Sequence, residues 1–471
     1  MFVGREHELS LIRHRLADRT KAQLVVLYGR RRVGKSTLMA RAVEGERRVL
    51  CFEGIQGSPT RVQIDQFLDD LARQTGRVRL QARSWREVFQ GLGELLHAGR
   101  WVLVFDEFPW MGAGRAQIVA DLKLHWDRWS KNPSVCLFLC GSVASFMSRH
   151  VVHSKALHNR KTLELCLGPL TPRETGRFIP KRSLLERAQL YMCLGGVPKY
   201  LEQIDPRQSL EKNLNRLCFS SGGFFTEEYE TLFKEQFRSL KVYEAIVAAL
   251  AQAPLCLSEL ARRVGTPKGG GFSSQVDNLV RAQFVREYAP IKLGGRPRSR
   301  TRMYKLIDPF VIFYFRYIRP NIEIIRRNRG NEDLFRAIAG PTIQQYYGYA
   351  FERLCEDAME AILEHMGLRL ADIVEMGPLF QQRRGERVGL QIDWMIVRRD
   401  GVWSVIEFKY HNAPVGMSVA HEVEEKVQRL GSPPEIAVEP VLISAAGATQ
   451  AVHRGGLFNK VLTLKDLAEP M

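Results

Sequence analysis

The 471-residue chain lacks any uninterrupted apolar stretch near the roughly 20 residues that a membrane helix needs. No basic segment followed by an apolar run opens it, so a secretory leader is not expected. Its eight cysteines include no C-x-x-C pair and no histidine-rich cluster beside them, which excludes the usual zinc-ribbon and zinc-finger spacings. Cys136 and Cys140 stand in an apolar run and are expected as buried thiols. A reducing cytoplasm without structural disulfides is the compartment this usage predicts. Acidic residues are also in short supply, 51 Asp and Glu against 69 Lys and Arg, for a net charge of +18. Such an excess favours a polyanionic partner, nucleic acid or an anionic surface, through long-range attraction. The length exceeds what one core organises and predicts about three domains.

Against these absences one stretch stands out. The apolar run 24–28 leads into Gly29, Arg30, Arg31, Arg32, Val33, Gly34, Lys35, Ser36 and Thr37, and a helical pattern follows from Leu38. Strand, glycine-bounded loop and helix form the context of a P-loop. Gly29 and Gly34 let the backbone curl around a phosphate, the loop N–H groups point at the anion, and the helix adds its positive end. Lys35 is expected at the β- and γ-phosphates of ATP and the Ser36 hydroxyl on Mg²⁺.

Two further buried-strand runs support this. Residues 101–105 end in Asp106 and Glu107, predicting Asp106 as a holder of Mg²⁺ and Glu107 as the residue that polarises the attacking water. Residues 135–140 end at Gly141 and Ser142, where Ser142 either senses the γ-phosphate or caps the next helix. Leu9, Ile12 and Leu16 recur at helical spacing ahead of the P-loop. The implied fold class is α/β, a parallel P-loop sheet with the nucleotide at the strand carboxyl ends.

The opening Phe2-Val3-Gly4-Arg5-Glu6, the arginine-filled P-loop, Asp106-Glu107, Gly141-Ser142, His158-Asn159-Arg160 and Gly195-Gly196-Val197-Pro198 resemble the prokaryotic AAA-type ATPases often called archaeal ATPases, within the signal-transduction NTPase group. The resemblance implies that Arg5 lies near the adenine and that Pro198 belongs to a helical lid approaching the nucleotide. Arg160 is the candidate for an arginine that answers the γ-phosphate charge, in cis or from a neighbouring subunit, with a plain surface arginine as the alternative.

Thr171, Pro172 and Glu174 signal a helix start, and residues 171–232 read as the lid after a core spanning 1–170, with Leu184, Leu185, Ala188 and Leu190 as core positions. Residues 233–320 read as a winged helix: helices at 242–250, at 257–263 with Ser258 as cap, and at 273–283 after a glycine break, then a hairpin over 285–306. Arg296, Arg298, Arg300 and Arg302 fall at every second position, a row that suits DNA phosphates if the limb is extended. Phe313, Tyr314, Phe315 and Tyr317 read as core, and 328–331 as a linker.

The remaining chemistry lies within 335–471. Strands at 391–398 and 402–409, joined by Arg399-Asp400-Gly401, predict a hairpin whose paired positions sum to 800. Asp393 then faces Glu407, Lys409 shares their side, and Ile392, Trp394, Ile406 and Phe408 take the other. An exposed cross-strand salt bridge is one reading. In the other, the acids hold Mg²⁺ and Lys409 steers or activates a water for attack on a phosphodiester. This Glu-x-Lys strand after an Asp-bearing strand resembles the PD-(D/E)-x-K nuclease superfamily, specifically the DUF234-type domain fused to such ATPases. The resemblance implies Glu352 as the earlier acid, although Gln391-Ile392 replace the motif's proline. Arg383, Arg384 and Arg387 are expected either to track a phosphate backbone or to form a solvated loop. The resulting expectation is a cytoplasmic ATPase controlling a restriction-endonuclease-like α/β domain that acts on DNA. A nucleotide-gated switch or DNA-binding scaffold with a decayed nuclease fold stands as the other class, and homo-oligomerisation is open.

Overall fold

Strands apolar on both faces need cover on both sides, and the first sheet has it. The computed structural model describes residues 2–142, 146–237, 240–267, 269–292, 302–330, 333–381 and 389–469. Two compact units divide the chain, Met1–Pro169 with Asp277–Gln283, and Leu170–Val276 with Phe284–Met471. In the first, β1 (Gln23–Tyr28), β2 (Val49–Glu53), β3 (Trp101–Asp106), β4 (Val135–Gly141) and β5 (Leu163–Cys166) form a parallel sheet in the order β2-β3-β4-β1-β5. Leu24, Val26, Leu103, Phe105 and Leu137 pack on one side with residues of the helices Thr60–Thr75 and Trp85–Leu95. Val25, Leu27, Val104 and Phe138 pack on the other with Ile12 and Leu16 of Glu6–Ala17 and with Leu38 and Met39 of Lys35–Val43. Cys136 and Cys140 are buried in this core, as expected.

The second unit begins with a helix whose start the sequence marks. Thr171 accepts the Glu174 N–H at 3.3 Å and Glu174 accepts the Thr171 N–H at 2.8 Å, a reciprocal cap ahead of Pro172–Phe178. Helices Leu184–Leu194, Pro198–Leu201, Leu210–Cys218 and Phe224–Gln236 follow. Ala188 and Leu190 are buried and Leu184 is half-buried, but Leu185 is exposed. Adjacent helical residues diverge by about 100°, so one apolar face does not take both leucines.

Helices Leu240–Leu250, Leu257–Val264 and Gly270–Arg281 come next, with β6 (Leu255–Cys256), β7 (Val285–Tyr288) and β8 (Met303–Leu306) in an antiparallel sheet ordered β6-β8-β7. Two expected helix starts move. Pairing of Cys256 with Met303 carries the strand up to Cys256, which caps the next helix and leaves Ser258 in its first turn. The third helix starts at Gly270, within the glycines, where burial of Phe272 and Val276 one turn apart draws the helix back. Arg296, Arg298 and Arg300 lie outside the described residues, as do Arg383, Arg384 and Arg387. The expected core aromatics Phe313, Tyr314, Phe315 and Tyr317 are buried. Asn328, read as linker, is also buried and donates to the Phe219 carbonyl at 2.8 Å.

The last sheet is mixed: β9 (Ile373–Gln381), β10 (Leu390–Arg398), β11 (Val402–Lys409), β12 (Ala437–Ser444) and β13 (Lys460–Leu462), ordered β13-β12-β11-β10-β9. Met395 pairs with Val405 and Val397 with Trp403, the register that the three-residue loop predicts. A bulge against β9 between Ile392 and Met395 inserts one residue, and Ile392 consequently packs with Met395, Trp403 and Val405. Its expected place with Trp394, Ile406 and Phe408 is corrected by that inserted residue, because a one-residue shift exchanges the faces.

Within this unit, a Cβ added to Gly196 would stand 1.9 Å from the Leu170 carbonyl oxygen, and the Leu170 N–H donates to the Gly196 carbonyl at 2.7 Å. Gly196→Ala should therefore destabilise the second unit by about 3 kcal/mol, seen as a lower melting midpoint. An unchanged midpoint would contradict this packing.

Candidate functional site

The loop between β1 and the helix Lys35–Val43 is shaped by two glycines. Gly29 has φ +150°, and a Cβ there would lie 2.2 Å from the Leu167 carbonyl oxygen, so only glycine passes. Gly34, at φ +92°, turns the chain into the helix. Between them Arg30 and Val33 are buried, Arg32 is left-handed at φ +69°, and Arg31 donates to Gln56 at 2.8 Å. The Lys35 ammonium curls back onto the loop, donating to the carbonyls of Gly29 at 3.1 Å and Arg30 at 2.9 Å. Burial draws its pKa below the ordinary lysine value, against the opposing pull of Glu107 and Asp106. Ser36 and Thr37 are exposed in the first turn.

The strand ends supply the acids. Ser36 Oγ donates to Asp106 Oδ2 at 2.6 Å, which brings a hydroxyl from the helix after β1 and a carboxylate from the end of β3 to one point. Glu107, left-handed at φ +46°, accepts from the Ser142 hydroxyl at 2.7 Å and the Ser142 N–H at 3.3 Å. Lys35, Ser36, Asp106, Glu107 and Ser142 thus converge through this network and through the electrostatics of Lys35. Glu53, not singled out from the sequence, pairs in register with Asp106, and burial followed by Asp106 and Glu107 raises its pKa.

Other expected residues hold different places. Arg5, buried and left-handed, donates to the carbonyls of Gly168 and Val33 and pairs with Glu8 at 3.1 Å, so it fastens the opening segment to the loop. Arg160 forms a two-pronged pair with Asp127 at 2.6 and 3.0 Å. Pro198 opens the helix Pro198–Leu201 of the second unit. Arg302 pairs with Glu287 on β7.

A second cluster forms around the bulged strand. Asp393 Oδ2 accepts the Phe408 N–H at 3.0 Å, where the paired ladder with β11 has already ended at Trp394 and Ile406. Glu407, only 2 % exposed, is gripped by two ammonium groups: Lys409 at 2.9 Å and Lys426 at 2.7 and 2.8 Å. Both lysines also meet Glu422, at 3.1 and 3.2 Å. Burial opposes their charge, but Glu407 and Glu422 outweigh it and hold both above the ordinary lysine value. Lys426 and Glu422 were missed by sequence reasoning; their four-residue spacing on the helix Met417–Leu430 was the available signal.

Glu352, on the helix Ile343–Asp357, has its pKa pushed up to about 7, first by burial and then by the Asp393 carboxylate. Asp393 is raised as well, by burial and then by Glu407. Among the described residues no group of three or more His, Cys, Asp and Glu side chains stands close enough to hold a metal ion. To act as a metal ligand, Glu407 would have to part from its lysines. Glu352 and Asp393, both raised by burial and the first also by the second, are the carboxylates a hard cation would relieve. They share the wall of a cavity of about 510 Å³.

Residues 2–204 match the family described as an ATPase domain predominantly from Archaea, and residues 314–426 match one described as archaeal and bacterial proteins of unknown function. An uncharacterised protein of Methanocaldococcus jannaschii is 27% identical over 360 residues, covering 76% of this chain and 77% of its own length. Among solved structures, a Walker-type ATPase of Pyrococcus abyssi aligns with a TM-score of 0.49 and 21% identity over 67% of this chain and 96% of its own. The Aeropyrum pernix ORC2 protein, in ADPNP–ADP complexes, aligns with a TM-score of 0.40 and 16% identity over 69% and 94%. The chain thus carries an ATPase domain of the archaeal P-loop type, together with a DUF234 domain.

Because folded Glu352 holds its proton more tightly than an unfolded carboxyl, ionising it costs stability as pH rises from the ordinary carboxyl range through about 7. Without divalent cations, the wild-type melting temperature should fall between about pH 5 and pH 8, and Glu352→Gln should flatten that fall. Parallel curves for the two proteins would contradict the assignment.

Proposed function

We propose that this P-loop ATPase controls, through its nucleotide state, a metal-dependent nuclease-like domain that acts on DNA. The observation that carries the nuclease part is the assembly around β10 and β11: Glu352 beside Asp393, with Lys409 held against Glu407. In the first unit, the Ser36 hydroxyl and Asp106 carboxylate, 2.6 Å apart, are a donor set that fits Mg²⁺. Mg²⁺ bound there would neutralise charge on the ATP phosphates. Lys35 leaves its two loop carbonyls for the β- and γ-phosphate oxygens. Glu107 orients the water and receives its proton; the water oxygen joins the γ-phosphorus as the bond to the β-phosphate oxygen breaks, leaving ADP and phosphate. Arg160 answers the γ-phosphate only by leaving Asp127, within one chain or from a neighbouring copy. Arg5 near the adenine and Pro198 in a closing lid complete the reading that the family resemblance suggests.

In the second unit, Glu352 and Asp393 are the pair that would hold a divalent cation, which would supply charge neutralisation at the phosphodiester. Lys409 is held in its charged form, so it steers the phosphate and stabilises developing negative charge rather than removing a proton. Water adds to phosphorus, the P–O bond to the leaving sugar breaks, and the water proton ends on the leaving oxygen. The net charge of +18 and the three-helix, three-strand segment carrying Arg302 support DNA as the partner. The second reading, a nucleotide-gated scaffold with a decayed nuclease fold, draws support from one observation: Lys409 and Lys426 already neutralise Glu407.

Purified protein with Mg²⁺ or Mn²⁺ and plasmid DNA separates them. Asp393→Asn and Lys409→Ala should each lower cleavage about a hundredfold or more while ATP hydrolysis persists, and Lys35→Ala should abolish ATP hydrolysis. Turnover of ATP with no cleavage under any nucleotide would favour the scaffold.

A further inference from the structure

The cavity on whose wall Glu352 and Asp393 stand has features that a pair of metal-binding carboxylates does not need. Among the described residues, only two aromatic side chains are exposed, Tyr349 at 59% and Phe380 at 46%, and both line this one cavity. Two aromatic side chains exposed in one cavity offer π-faces on which a flat group can stack. Arg316 and Arg353 line the same space and bring two guanidinium groups, the side chain best matched to a phosphate. The volume, about 510 Å³, falls in the range that seats one small organic ligand. Aromatic faces, phosphate-matched cations and the two carboxylates are the three requirements of a nucleotide about to be cut: a surface to stack the base, a charge to hold the backbone, and a centre for the chemistry.

Resting on the nuclease reading above, we infer that this cavity seats a single unpaired nucleotide, and that the substrate is therefore a nucleic acid with a single-stranded end or flap. A base within a continuous duplex is stacked and paired, and bringing it into such a cavity costs a few kcal/mol of unpairing. An end that is already unpaired escapes that cost. It gains instead the stacking of a base on an aromatic face, about 1–3 kcal/mol per base.

The test is fluorescence anisotropy on the full chain in EDTA, so that binding is read without cleavage, using a labelled oligothymidylate and a labelled blunt duplex of equal length. The oligothymidylate should bind about tenfold or more tighter than the duplex, and Tyr349→Ala with Phe380→Ala should remove about that factor. Tyr349→Phe with Phe380→Trp should restore it, which separates loss of stacking from loss of fold, and thermal melts check the fold of each variant. Equal affinity for the duplex, or unchanged oligothymidylate binding in the double alanine variant, would overturn the inference. Cleavage assays keep the two readings apart: duplex cut as readily as flapped DNA sinks the unpaired-nucleotide inference alone, whereas selective oligothymidylate binding with no cleavage of any DNA sinks the nuclease reading alone.

Discussion

A single close approach governs the first unit. Where β1 ends, the backbone at Gly29 passes so near the Leu167 carbonyl that no side chain fits between them. That passage sends the loop around the point where Lys35, Ser36 and Asp106 gather. The rest of the unit supports it. The core on each face of the sheet holds β1 and β3 on either side of β4, so the ends of both strands reach the same edge. Arg5 ties the opening segment to Val33 within the loop and to Gly168, next to Leu167. The gathering of these side chains is a consequence of backbone geometry first and of side-chain chemistry second.

The second unit rests on a charge balance instead. Glu407 is buried on a central strand, and burying a carboxylate alone would be costly. Lys409 and Lys426 repay that cost, and Glu422 ties the two lysines together at the surface end. Burial raises the pKa values of both Glu352 and Asp393, with Asp393 adding to the first and Glu407 to the second. The bulge at the start of β10 matters here. It lets the Asp393 side chain take the Phe408 N–H rather than sit squarely across from Glu407. The sequence pairing rule thus brings the two acids together, and the bulge gives them different neighbours.

Much of this was legible from residues alone, for identifiable reasons. β1, β3 and β4 are central strands buried on both faces, so they read as continuous apolar runs; β2 and β5 lie at the sheet edges with mixed burial and gave no such signal. The β10–β11 register followed from a loop of three residues ending in glycine. The bulge was invisible because it depends on β9, whose pairing no local pattern encodes. Cys256 displaced Ser258 as a cap for the same kind of reason: a partner strand some fifty positions away decides where the helix begins. Lys426 was missed because an ion pair between a helix and a strand leaves no spacing rule between them. Arg160 shows the converse, a residue singled out by family resemblance that stands here in an ordinary pair with Asp127.

The most direct measurement of whether one site governs the other is the rate of DNA cleavage by the wild-type chain in Mg²⁺ with ATP, with a non-hydrolysable ATP analogue, with ADP and without nucleotide. If nucleotide state controls the C-terminal site, the rates will separate by nucleotide, and the differences will vanish when Lys35 is replaced. Cleavage at one rate in all four conditions would contradict that control.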